Sequence, residues 1–150
     1  MSKNYYPIGF LRFNNHLVQL DEILKEVQQS KDPALTFYQS KARTYLFYLE
    51  ALCRLYKEAG NQKIFSKLGK RFKKLEDKLG EIDYYDGFIM EFGKKKDFPK
   101  NVLQSIQSIK SSKLKELFEI LKEDEWIAED RLRILKIFRK LDKVAWLPNK

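Results

Sequence analysis

The chain has 150 residues, 43% hydrophobic and 34% charged, with only six glycines and four prolines. A chain of this length buries roughly 70% of its unfolded surface as one domain, here residues 1–150, and its apolar content excludes intrinsic disorder. Lys and Arg number 30 against 21 Asp and Glu, a net charge of +9 that favours an anionic partner, while the single histidine and single cysteine exclude an internal disulfide and a multi-histidine metal centre.

After an aromatic segment through Phe13, the apolar positions Leu17, Leu20, Ile23, Leu24 and Val27 predict a short first helix. Ser30 to Asp32 resets the chain, with Asp32 as cap and Pro33 in the first turn of the next helix. Leu35, Tyr38, Ala42, Tyr45, Leu49, Leu52 and Tyr56 then recur at three and four, which predicts one uninterrupted second helix ending near Gly60. The third helix runs from about Asn61 to Phe92. Its seam reads Phe65, Leu68, Phe72, Leu75, Leu79, Ile82, Asp86 and Ile89, so a carboxylate interrupts an apolar stripe. Gly80 and Gly87 each cost about 1 kcal/mol in a helix interior and predict irregularity in LGEIDYYDG.

A loop carrying Lys94, Lys95 and Lys96 leads to Pro99 and a fourth helix with Val102, Leu103, Ile106 and Ile109, and KSSK at 110–113 is a candidate interruption before Leu114, Leu117, Phe118 and Leu121. The last helix is expected from about Asp124, with the seam Ile127, Arg131, Ile134, Phe138, Leu141 and Ala145. These elements define an all-α fold, an antiparallel up-and-down bundle of four to five helices. The second and third helices should form an antiparallel hairpin across Gly60 with their seams facing each other and Leu49 and Phe72 off solvent. No window has the apolar length of a signal peptide or a membrane span, so the expectation is a cytoplasmic protein with no membrane association.

Catalytic machinery is not expected. His16 reads as a polar residue before the first helix and Cys53 as a packed thiol; the carboxylate pairs Asp83 with Asp86 and Glu125 with Glu129 read as solvated acidic faces. No metal site or cofactor is expected. Asp86 and Arg131 each interrupt an apolar seam, and an ion pair between them is one way to compensate both.

The charge is unevenly placed. Lys63, Lys67, Lys70, Lys74 and Lys78 advance along one helix face opposite the Phe65 to Ile82 seam, a spacing suited to a solvated face or to a track for a polyanion. A second basic block comprises Arg131, Arg133, Lys136, Arg139, Lys140 and Lys143. Beyond Lys78 the stripe continues as Glu81, Tyr85, Phe88 and Phe92, aromatics that require cover from a helix, or from a partner.

Two stretches resemble the CHAD family, the conserved-histidine α-helical domains that bind phosphate-rich ligands. SKARTYLFYLEALCRLY is similar to the family's basic opening helix at Arg43, with Ser40 at the histidine position and Phe47, Tyr48 and Glu50 at the later arginines. KKLEDKLGEIDYYDGFIMEF is similar to its L-G-x-x-R-D-x-D segment at Leu79, Gly80 and Asp86, with Asp83 and Tyr84 replacing the Arg and the first Asp. The resemblance covers about residues 33–95. It implies a phosphate-polymer-binding fold of about half the usual two-bundle size, with much of the family's basic surface lost. The expected function is a non-enzymatic binding module for a phosphate-rich polyanion such as polyphosphate, contacted by Lys41, Arg43, Lys67, Lys70 and Lys74. The alternative is a protein-interaction or structural module that docks a partner through Phe88 and Phe92.

Overall fold

The computed structural model describes residues 6–127 and 131–146. Six helices and no strands occur among the described residues: α1 (Ile8–Gln29), α2 (Pro33–Gln39), α3 (Ala42–Lys57), α4 (Gln62–Phe92), α5 (Lys100–Glu123) and α6 (Leu132–Leu141). The fold is all-α. α3 packs along α4, α4 along α5, and α1 against α3; α2 bridges α1 and α5, and α6 lies on α1.

The first helix starts earlier than its aliphatic stripe, because Gly9 and Phe13 continue the buried seam of Leu17, Leu20, Leu24 and Val27. Phe13, Tyr56, Phe65 and Trp146 form an aromatic cluster at this end, with ring centroids 5.5 Å apart for Phe13 and Phe65 and 5.6 Å for Tyr56 and Trp146. Gly9 admits that cluster: a Cβ there would lie 2.6 Å from the Trp146 ring and 2.9 Å from Tyr56.

The long second helix expected from Pro33 is two helices. The Ser40 hydroxyl donates to the Phe37 carbonyl at 2.6 Å and accepts from the Ala42 amide at 3.1 Å, replacing helical backbone bonds at the break. The break is silent in the apolar pattern because Tyr38 keeps a four-residue step to Ala42, whereas the fully buried Phe37 and Ala42 are five residues apart. The buried stripe is also displaced from the expected one in part: Ala34, Phe37, Ala42, Leu46, Leu49 and Cys53 form it, while Tyr38, Leu52 and Tyr56 are only partly covered. At the other boundary Asp32 caps as expected, its Oδ1 accepting from the Leu35 amide at 3.3 Å.

The α3–α4 hairpin turns through Gly60 at φ 132° and Asn61 at φ 51°, and Leu49 and Phe72 are both fully buried. All of Phe65, Leu68, Phe72, Leu75, Leu79 and Ile82 are buried, as the seam predicts. The expected irregularity at Gly80 and Gly87 is absent; α4 is continuous through both. Gly80 has a packing reason, since a Cβ there would lie 2.8 Å from the Arg43 guanidinium, which crosses the helix at that point. α5 likewise runs unbroken through KSSK, because Lys110 and Lys113 reach acids of α4.

The chain after α5 departs most from expectation. Glu125 adopts φ 69°, and Trp126 turns inward, fully buried, with its ring 6.3 Å from that of Phe72. The amides of Trp126 and Ile127 both donate to the Leu121 carbonyl, at 2.9 and 3.1 Å, so the last helix begins at Leu132 rather than near Asp124. Ile134, Ile137, Leu141 and Val144 supply its buried face. Beyond it, the Ala145 amide donates to the Asn61 side chain at 3.0 Å, returning the chain to the hairpin.

The glycines make a direct prediction. Nothing lies within 4 Å of a Cβ built on helical Gly87, so Gly87→Ala should raise unfolding free energy by about 0.4–1 kcal/mol in urea denaturation. Gly9→Ala should lower it, because the rings of Trp146 and Tyr56 must move.

Candidate functional site

The register of α4 against α5 decides which cations are free. Lys74 pairs with Asp124 at 3.0 Å, Lys78 with Glu81 at 3.2 Å and closely with Glu116, and Lys113 with Glu81 at 3.0 Å. The acids at the end of α5 thus neutralise the second half of the lysine stripe. Glu81 and Glu116 are held below the ordinary carboxylate range, the first chiefly by Lys113 and the second chiefly by Lys78.

The first half of the stripe extends past the end of α5, and there α6 takes the place alongside it. Lys63, Lys67 and Arg71 of α4 face Arg133, Lys136, Arg139, Lys140 and the following Lys143 across a groove of about 560 Å³ floored by Ile64, Leu68 and Ile137. Among the described residues, eight cations and no acid line it. Their crowding is visible at Arg133, whose guanidinium is pushed down from its ordinary value first by burial and then by Arg71. At the edge of the groove the Glu125 carboxylate accepts from Lys136 at 2.6 Å and from Arg133 at 3.2 Å. Glu129 lies outside the described residues.

Of the five expected polyanion contacts, only Lys67 lines this groove. Lys70 faces a shallow depression against α3 with Glu50, Arg54 and Lys57, and Lys74 is paired with Asp124. Lys41 is exposed at the start of α3, and Arg43 reaches Glu76 at 3.4 Å and Asp83 at 3.6 Å. The structure therefore disperses these five residues. The groove instead joins the two basic blocks; the three- and four-residue spacing of Lys136, Lys140 and Lys143 marks one basic face but does not show what that face meets.

Asp86 and Arg131 do not pair with each other. Asp86 accepts from Lys110 at 2.8 Å and from the Tyr38 hydroxyl at 3.0 Å, while Arg131 pairs with Asp21 of α1. The left-handed backbone at Arg131, φ 46°, places it at the head of α6 rather than in its seam. Asp86 keeps 21% side-chain exposure, so it sits at the edge of the α2–α4–α5 contact. The Tyr38 hydroxyl has one proton to share between Asp86 and Asp83, the latter at 2.9 Å, and burial followed by these two acids raises its pKa strongly.

His16 stacks on Tyr48 at 5.1 Å, and burial lowers its pKa. Burial likewise raises the Cys53 thiol well above its ordinary range, disfavouring the reactive thiolate. No group of three or more His, Cys, Asp and Glu that could hold a metal occurs among the described residues. No helix among them is long and apolar enough to cross a membrane.

A second surface feature lies at the far end of α4. Tyr84, Phe88, Phe92 and Phe98 contact ring to ring in series, with centroids 5.1, 5.8 and 5.0 Å apart, and Lys95 lies 4.9 Å from the Phe92 ring centre. Phe98 of the loop gives Phe92 part of the cover expected from a helix or a partner, while Tyr84 remains 62% exposed. Comparison of the chain with known protein families, curated proteins and solved structures gives no match.

Lys110 is the first cause of the depressed Asp86 pKa. The stabilisation it reports is present above the unfolded carboxyl pKa, about 3.9, and is lost as pH falls through the lower folded value. Lys110→Met should therefore move the acid-unfolding midpoint, followed by circular dichroism, to higher pH. An unchanged midpoint would show that the pair does not contribute.

Proposed function

We propose that the protein is a non-enzymatic binding module for a phosphate-rich polyanion, and that the groove between α4 and α6 is where the polymer lies. The observation that carries this reading is the lining itself, eight cations with no acid among the described residues. Bringing like charges together opposes folding unless an anion completes the site. Lys63, Lys67 and Arg71 span about 12 Å of helix axis, enough for consecutive groups of one phosphate chain, and the lysines and arginines opposite supply charge-assisted donors. Polyphosphate is the proposed ligand, a choice also supported by the resemblance to the CHAD family over Arg43, Leu79, Gly80 and Asp86. The proposed location is the cytoplasm, since a lone buried cysteine suits a reducing compartment.

The aromatic series Tyr84, Phe88, Phe92 and Phe98 favours a second reading, a protein partner docked at the opposite end of α4. The two readings occupy different surfaces and separate cleanly by mutation.

In a fluorescence titration with labelled polyphosphate, Lys67→Glu, Arg71→Glu and Lys140→Glu combined should weaken binding by at least about a hundredfold and flatten its salt dependence. Lys70→Glu with Lys74→Glu should have a much smaller effect, since neither residue lines the groove. Equal losses from the two sets would reject the groove as the site.

A further inference from the structure

We infer that the point where Arg71, Arg133 and Lys136 converge is a subsite for one phosphoryl group of the ligand, and that the Glu125 carboxylate competes for it as a built-in surrogate anion. This rests on the polyanion reading of the groove and adds the regulation of its end. Oε1 of Glu125 accepts both from Lys136, at 2.6 Å, and from Arg133, at 3.2 Å, so one carboxylate oxygen sits where two groove cations point. Lys63, Lys67, Arg71, Arg139, Lys140 and Lys143 have no ion-pair partner among the described residues. Glu125 is the described acid whose carboxylate forms ion pairs with the groove's cations, while the charge of Asp124 acts on Arg133 without pairing with it.

Backbone preference does not explain a glutamate at this position. Its φ of 69° lies in the left-handed region, where Gly, Asn and Asp are favoured and a longer side chain is strained. Nor does the turn depend on the carboxylate. The Arg133 amide donates to the Glu125 carbonyl at 3.0 Å, the Arg133 Nε donates to the Asp124 carbonyl at 2.9 Å, and Trp126 and Ile127 are held by the Leu121 carbonyl. What the Glu125 side chain adds is negative charge on Lys136 and Arg133.

That charge is present at neutral pH. The Lys136 hydrogen bond, first among the causes, holds the Glu125 carboxyl below its ordinary range, and the charges of Arg133 and Arg71 act in the same direction. A phosphoryl group presents several acceptor oxygens and can take donors from Arg71, Arg133 and Lys136 together, whereas the carboxylate hydrogen-bonds only to the last two. The Glu125 side chain is 30% exposed, so displacement carries it directly into solvent.

The test compares Glu125→Asn, which tolerates a left-handed backbone without the charge, and Glu125→Gln with the unaltered protein, reading the Kd for inorganic polyphosphate and the melting temperature. The expected result is binding about three- to tenfold tighter in both variants with a steeper dependence on salt. A purely structural role for Glu125 predicts the reverse, a lower melting temperature with equal or weaker binding, and that result would overturn the competitor while leaving the groove as a polyanion site. If neither the unaltered protein nor either variant binds polyphosphate, the functional reading and the competitor fall together. Should the Asn variant fail to fold, the Gln variant alone decides the sign.

Discussion

Trp126 leaves the line of α5 and enters the core beside Phe72, and the direction of everything after it follows from that burial. A continuous helix from Lys100 onward would carry the second basic block beyond the bundle. Instead, the left-handed backbone at Glu125 and the double capping of the Leu121 carbonyl turn the chain, and α6 returns beside the first turns of α4. Burying an indole removes a large apolar surface from water, a gain partly offset because the Trp126 Nε1 is buried without a hydrogen-bond partner. The basic groove exists because of this turn.

The same geometry explains why identical residues on one helix face have different electrostatic fates. Lys74 and Lys78 meet acids of α5, but Lys63, Lys67 and Arg71 lie past its end and meet cations of α6. Of the first kind, the exposed Lys74–Asp124 pair contributes little to stability because water screens it, whereas the Lys78 pairs are partly buried. Like charges of the second kind oppose folding, and burial at the α1–α4 core and the aromatic cluster around Trp146 must outweigh that repulsion. Net positive charge is thus concentrated by the fold in a place where an anion can reach it, rather than spread over the lysine stripe.

The parts of the structure most legible in the sequence are those where one local signal suffices. The α4 seam, the Asp32 cap and the Gly60 turn each rest on residues close together in the chain. The break at Ser40 was hidden because the partly covered Tyr38 keeps a four-residue step to Ala42, although the buried stripe steps five residues there, from Phe37 to Ala42, where the Ser40 hydroxyl ends the helix. Gly80 suggested weakness when read alone, yet it is required by the passage of Arg43, a contact fixed only once α3 and α4 are paired. The partners of Asp86 and Arg131 could not be chosen by scarcity of charge within each seam, since Lys110 and Asp21 come from helices whose register the sequence pattern leaves open. Likewise both basic blocks were readable, but their apposition depends on the inward turn of Trp126, a residue outside the expected seam.

In the proposed function, one groove made by α4 and α6 gathers positive charge and receives the anion. Amide NMR shifts recorded while inorganic polyphosphate is added to isotope-labelled protein test it most directly. Saturable changes are expected to cluster at residues 63–71 of α4 and at 133–143, in α6 and just past its end. Changes confined to α3 and the second half of α4, or to the aromatic series from Tyr84 to Phe98, would contradict it.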